Sequence, residues 1–171
     1  MAIDESIRRF LAGLKLPEMQ VPDFSGLDWM QSTERLRQSF YRASRAMEAD
    51  APQMADVSTL PIDGADGTVK ARLYTPLGAG IGAGPGIVFF HGGGFVLGDL
   101  ESYDIVCRRL AHASRCRLLS VDYRLAPEHR FPAAHADAEA AWHWTIGRAE
   151  HFHLDRSEEH TSELQSHAPI S

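Results

Sequence analysis

Cysteine is scarce: Cys107 and Cys116 are the only two in 171 residues, too few for a disulfide framework. With no targeting segment beside them, they read as reduced, buried thiols in a cytoplasmic protein. Long apolar runs are also missing. Nothing approaches the roughly 20 residues of a membrane span, and the opening MAIDESIRRFLAGLKLPEMQ lacks an uninterrupted stretch of signal-peptide length. Surplus positive charge is absent. Seventeen Lys and Arg against 23 Asp and Glu leave a net charge of -6, which argues against nucleic acid or an anionic membrane as the main partner. A metal-ligand set is lacking too. His129, His135, His143, His151 and His153 are scattered, and no cysteine or carboxylate cluster completes a zinc set around His151 and His153. They read as surface histidines. What remains is 44% apolar and 23% charged residues, the balance of a globular chain with one core.

Ile7, Phe10, Leu11 and Leu14 recur at helical spacing, as do Leu36, Phe40, Ala43 and Met47, with a Pro-containing loop between them. Residues 1–50 are therefore expected to form a helical segment packed on the rest, or a lid over a pocket. The texture changes at Pro52. Val57–Ile62 and Val69–Tyr74 are strand candidates around the turn-forming DGADG. LGAGIGAGPG, with glycine at 78, 80, 82, 84 and 86, reads as a flexible connector.

Beyond it, Ile87–Phe90 reads as a strand and about 102–113 as a helix. Ser102 is placed to cap that helix, Asp104 sits in its positive first turn, and Ile105, Val106 and Leu110 form its apolar stripe. Arg117–Tyr123 is the next strand. Pro132 opens a helix, AAHADAEAAWHW, with Trp142 on its buried face and Trp144 beside it as core or interface. Strand, helix, strand, helix implies right-handed parallel crossovers and an α/β sheet over residues 51–155. Residues 156–171, RSEEHTSELQSHAPIS, are polar and aperiodic. They look like a translated sequencing adapter followed by arbitrary codons, and read as a non-native tail outside the fold.

The stretch GIVFFHGGGFVLG, residues 86–98, sets three consecutive glycines at the end of a strand. Each glycine costs roughly 0.5–1 kcal/mol against alanine in a regular element, so the backbone there must need the freedom. Ligands of parallel sheets sit beyond the carboxyl ends of the strands. Side-chain-free residues at such an end let N–H groups approach an oxyanion forming on an attacked carbonyl, where one donor is worth about 10²–10³ in rate.

HGGGF at 91–95 followed by DYRLAPEHRFPAA at 122–134 resembles the hormone-sensitive-lipase-like branch of the α/β-hydrolase esterases. The resemblance covers about residues 50–155, and the first 50 match that family's N-terminal helical cap more loosely. It implies a partial α/β-hydrolase fold and hydrolysis of a small-molecule carboxylic ester through a Ser-His-Asp/Glu triad, without metal or organic cofactor. By the same resemblance, the N–H groups of Gly93 and Gly94 are oxyanion donors and Gly92 shapes the turn. His91 holds the loop by hydrogen bonds and is not the triad base. Asp122, Tyr123, Arg124 and Glu128 form a structural network beneath, and Pro127 and Pro132 follow cis peptide bonds. Phe10, Trp29 and Met30 are candidates for an acyl pocket, with core packing as their other use.

The nucleophile is missing. No serine has glycine two residues away on both sides, and the family pattern breaks at Asp155, where the strand leading to a Gly-x-Ser-x-Gly elbow should begin. The chain is therefore expected to be the front of an esterase, inactive alone, with the apolar edge of strand 87–90 open to association. Two rival readings remain. Gly92 and Gly94 after a strand, with Asp122 ending the next, match a dinucleotide fingerprint in outline; but Leu97 occupies the third glycine position, Gly98 is one late, and DLE intervenes before Ser102. A non-catalytic, small-ligand-binding relative of the same fold is the alternative.

Overall fold

A computed structural model describes residues 23, 25–46, 51–80 and 82–155. The apolar repeat Ile7–Leu14, Phe10 within it, Met47 and the tail 156–171 lie outside the described residues.

Helix α1, Trp29–Arg45, opens on a capping box: the Asp28 carboxylate accepts from the Gln31 N–H at 2.8 Å, and the Gln31 side chain accepts from the Asp28 N–H at 3.1 Å. Strands β1 (Met54–Gly64) and β2 (Gly67–Pro76) form an antiparallel hairpin, in register from Gly64↔Gly67. Both run past the expected bounds, because cross-strand pairing continues through residues with little strand propensity of their own. Strand β3 (Gly86–Phe90), helix α2 (Asp104–Ser114), strand β4 (Arg117–Asp122) and helix α3 (Ala133–Gly147) complete the order.

The sheet runs β1-β2-β4-β3. It is mixed: β4 pairs parallel with β3 through the α2 crossover and antiparallel with β2. The expected parallel crossover is the β3–α2–β4 unit. Helices cover both faces. Ile62, Val69, Ala71, Leu119 and Val121 pack with Ala134, Ala141 and Trp144 of α3, while Tyr74 and Leu118 pack with Cys107 and Ala111 of α2. Leu118 to Val121 are all buried, which explains the unbroken rather than alternating character of β4.

Four local expectations are corrected. Ser102 does not cap α2; its N–H and hydroxyl both bond the Asp99 carboxylate, closing a tight turn before the helix, which begins from Tyr103 without a side-chain cap. The buried stripe of α2 is Ile105, Cys107 and Ala111, and Val106 and Leu110 are exposed, since small residues let the helix settle close to the sheet. On α3, Trp144 is the buried tryptophan, with the Arg148 guanidinium 4.5 Å over its ring, and Trp142 is half-buried. The glycine-rich connector is clipped at its second half. The Gly84 N–H donates to the His153 carbonyl at 3.0 Å and the Asp155 N–H to the Gly84 carbonyl at 2.8 Å, with Leu154 packed where a side chain at Gly86 would stand. Among the described residues, β3 is an edge strand, as expected.

One carboxylate joins the hairpin, the end of β4 and α3. Asp137 is fully buried and accepts from the Ala65 N–H, the Arg124 N–H and the Arg124 guanidinium, the last through Nε at 2.7 Å and Nη2 at 2.9 Å. Burial opposes its charge, but these hydrogen bonds outweigh that and hold its pKa below the ordinary value. Removing one partner of a buried pair strands the other. Asp137→Ala is expected to destabilise the fold by about 3–5 kcal/mol, read from the urea denaturation midpoint.

Candidate active site

Residues 91–98 leave the carboxyl end of β3, beside the end of β4, where Phe90 pairs with Val121. The Gly93 carbonyl accepts from the Val96 N–H at 3.1 Å and the Leu97 N–H at 2.9 Å, closing a turn. Inside it three successive residues have positive φ: Gly93 at 123°, Gly94 at 62° and Phe95 at 60°. At Gly93 a side chain is excluded, since a Cβ would overlap the Leu97 carbonyl. Phe95 has no such dispensation, and a bulky residue in this region carries about 1–3 kcal/mol of strain. Its carbonyl is held by the Ala126 N–H at 2.8 Å. Among the described residues, neither the Gly93 nor the Gly94 N–H donates a hydrogen bond.

His91 anchors the near end of the turn. It is buried, its Nδ1 lies 2.9 Å from the Gly92 carbonyl, and its ring stacks on Tyr123 at 4.4 Å between centroids. The Tyr123 hydroxyl donates to the His91 carbonyl. An Nδ1–H donor leaves Nε2 as the lone pair, and Nε2 is buried without a partner among the described residues. Burial pulls the His91 pKa below its ordinary value, against the opposing effects of its hydrogen bond to the Gly92 carbonyl and of nearby Asp122 and Asp99. Burial also raises the Asp122 carboxyl above its ordinary value and pushes the Tyr123 hydroxyl up to about 12.

The network expected beneath the loop is instead three separate attachments. Tyr123 serves His91. Arg124 turns away to Asp137 and to Asp66 at 3.1 Å. Glu128 reaches α1, where Arg37 grips it with both terminal nitrogens, Nη1 to Oε1 at 2.7 Å and Nη2 to Oε2 at 2.9 Å. They diverge because the chain after β4 leaves the sheet, so neighbours in sequence face different elements. The peptide bonds before Pro127 and Pro132 are cis. Trp29 and Met30 are exposed on the first turn of α1. Arg37 had no signal in the sequence, because its partners lie 59 to 91 residues away.

Two cavities stand apart from the loop. An open one of about 530 Å³ is lined by Leu77, Gly78, His112, Ala113 and Arg115 at the far end of α2, and a small apolar one lies between Leu73, Ile87, Phe152 and Leu154. Among the described residues no group of three or more His, Cys, Asp or Glu is placed to hold a metal ion, and no helix is long and apolar enough to cross a membrane.

Residues 87–159, from β3 through α3, match a family described as having the alpha/beta hydrolase fold. The chain has part of the α/β-hydrolase fold. The "Carboxylic ester hydrolase LipN" of Mycobacterium tuberculosis (strain ATCC 25618 / H37Rv) is 50% identical over 94 residues, 54% of this chain and 24% of the relative. The "Ethyl acetate hydrolase" of Pseudomonas putida is 36% identical over 124 residues, 71% of this chain and 39% of the relative. Among solved structures, a hyperthermophilic esterase from the archaeon Pyrobaculum calidifontis superposes with a TM-score of 0.71 at 36% identity, over 91% of this chain and 47% of that one. The chain thus spans less than half the length of these relatives.

Two substitutions test the site as a structure. A Cβ at Gly98, where φ is 97°, would overlap the His91 imidazole. Gly98→Ala is expected to cost about 2 kcal/mol or more, seen as a lowered thermal midpoint. The Arg37 hydrogen bonds hold the Glu128 carboxyl at a pKa of about 2, against an ordinary 4.5. A depressed carboxylate stabilises above its ordinary pKa and loses that contribution as pH falls through the lowered one. The gap in urea midpoint between wild type and Glu128→Gln should therefore be open at pH 7 and close as the pH falls through about 2.

Proposed function

We propose that this chain carries the oxyanion-binding part of a carboxylic ester hydrolase, with the backbone N–H groups of Gly93 and Gly94 as donors. The observation that carries the reading is the pair of adjacent, uncommitted amides on a left-handed turn at the end of β3. When a serine attacks an ester carbonyl, the C=O π bond becomes a negatively charged oxygen. Two N–H groups at about 2.7–3.1 Å from that position stabilise it more than the starting carbonyl, and so lower the barrier. His91, Tyr123 and Ala126 hold the turn beforehand, so the donors need no reorganisation as charge develops. Gly92 shapes the entry to the turn. Names of relatives such as "Esterase LipI" of Mycobacterium tuberculosis (strain ATCC 25618 / H37Rv), 48% identical over 96 residues, favour the same chemistry.

In this reading a helical cap occupies about residues 1–50, the hydrolase part 51–155 and a non-native tail 156–171. The substrate is a small-molecule ester and the compartment the cytoplasm, where Cys107 and Cys116, both free, stay reduced. The chain has no Gly-x-Ser-x-Gly elbow, so by itself it should give no saturable hydrolysis of p-nitrophenyl acetate. Residues 1–155 joined to the elbow-bearing half of an esterase relative should give saturable turnover, and Gly93→Ala in that protein should lower kcat about 10²–10³-fold. Saturable binding of the ester without turnover would favour the non-catalytic relative instead.

A further inference from the structure

We propose that Arg37 is a positioning residue that makes the shape of the Gly93–Leu97 turn depend on the docking of helix α1. The inference takes the purpose of that turn from the oxyanion reading above. Arg37 sits in the middle of α1 and uses all three guanidinium nitrogens on two loops. Nε donates to the Val96 carbonyl at 2.8 Å, Nη2 to the Ala126 carbonyl at 2.8 Å, and Nη1 and Nη2 to Glu128. The planar fork makes one side chain fit three acceptors at fixed angles, which a lysine cannot do.

Two of the three acceptors are connected through the turn itself. Val96 lies inside it and donates to the Gly93 carbonyl, while Ala126 donates to the carbonyl of the strained Phe95. Arg37 thus grips the far side of the turn whose first two residues carry the uncommitted amides. A second route runs along rings. Phe40, also on α1, contacts Tyr103 at 5.8 Å, and Tyr103 contacts His91 at 5.3 Å. One helix face therefore touches the loop at both ends, by charge at Val96 and by an aromatic chain at His91.

The consequence is mechanical. Phe95 in the left-handed region lies uphill of extended or right-handed backbone, and Gly93 and Gly94 are free to leave that region. Bonds at both ends of the turn are what over-determine it, and those at one end come from a separate helix. With α1 docked the amides of Gly93 and Gly94 are held in one arrangement; with α1 released, the turn can relax and the donors are lost.

Hydrogen–deuterium exchange on the 171-residue chain tests this without any need for turnover, read on peptides covering residues 92–99 and 123–130. In Arg37→Met, exchange at the Val96, Leu97 and Ala126 amides should accelerate about tenfold or more, while β2 and β4 keep wild-type rates. Arg37→Lys should recover less than half of that protection. Wild-type rates in the turn of Arg37→Met, or full rescue by lysine, would overturn the proposal. If Arg37→Met fails to fold, Glu128→Gln decides on the same peptides: faster exchange supports the proposal and unchanged exchange sinks it. Failure here leaves the oxyanion reading standing, whereas absent turnover in the joined protein leaves the positioning role standing.

Discussion

Everything at the candidate site rests on keeping three consecutive residues left-handed. Backbone sterics oppose that for any residue with a side chain, and Phe95 is one. Glycine removes the penalty at two of the three positions but adds conformational entropy to the unfolded chain. The turn persists because its surroundings supply fixed acceptors and donors: Leu97 and Val96 onto Gly93, Ala126 onto Phe95, and Tyr123 onto His91. Within the turn, the N–H groups of Gly93, Gly94 and Phe95 have no hydrogen-bond partner among the described residues.

The rest of the fold serves as the fixed frame for this turn. Because β4 is buried on both faces, it cannot shift without opening two cores, and its end is where Tyr123 and Arg124 begin. Asp137 then locks Arg124 and the β1–β2 turn to α3. Neighbouring side chains in DYRLAPE thereby divide the work. One supports the loop, one the frame and one the helix above it.

Similarity to longer esterases places this chain in a fold whose chemistry needs parts from several segments. The described residues contain the turn but no serine elbow, and the reading of function accordingly concerns where an oxyanion would sit rather than what attacks. Helix α1 adds a feature that fold membership alone does not carry, since its arginine reaches both loops that shape the turn.

Much of this was legible in the residues in order. HGGGF after a run of large apolar residues marks a strand ending in a backbone turn, and the α/β order follows from alternating periods over residues 86–147. These are local properties: they depend on glycine's missing side chain, on the spacing of apolar residues and on proline. Contacts between distant residues were not legible. Ser102 had the right type and place for a cap, but Asp99 competed for it successfully. Trp142 and Trp144 differ only in which side of α3 meets the sheet. Arg37 is one arginine among several on a polar helix, and nothing in its neighbours distinguishes it. The amino-acid order determines which backbone shapes are affordable at each point. Only the folded chain decides which acceptors meet a long cation, because that depends on segments brought together across sequence separations of 59 to 91.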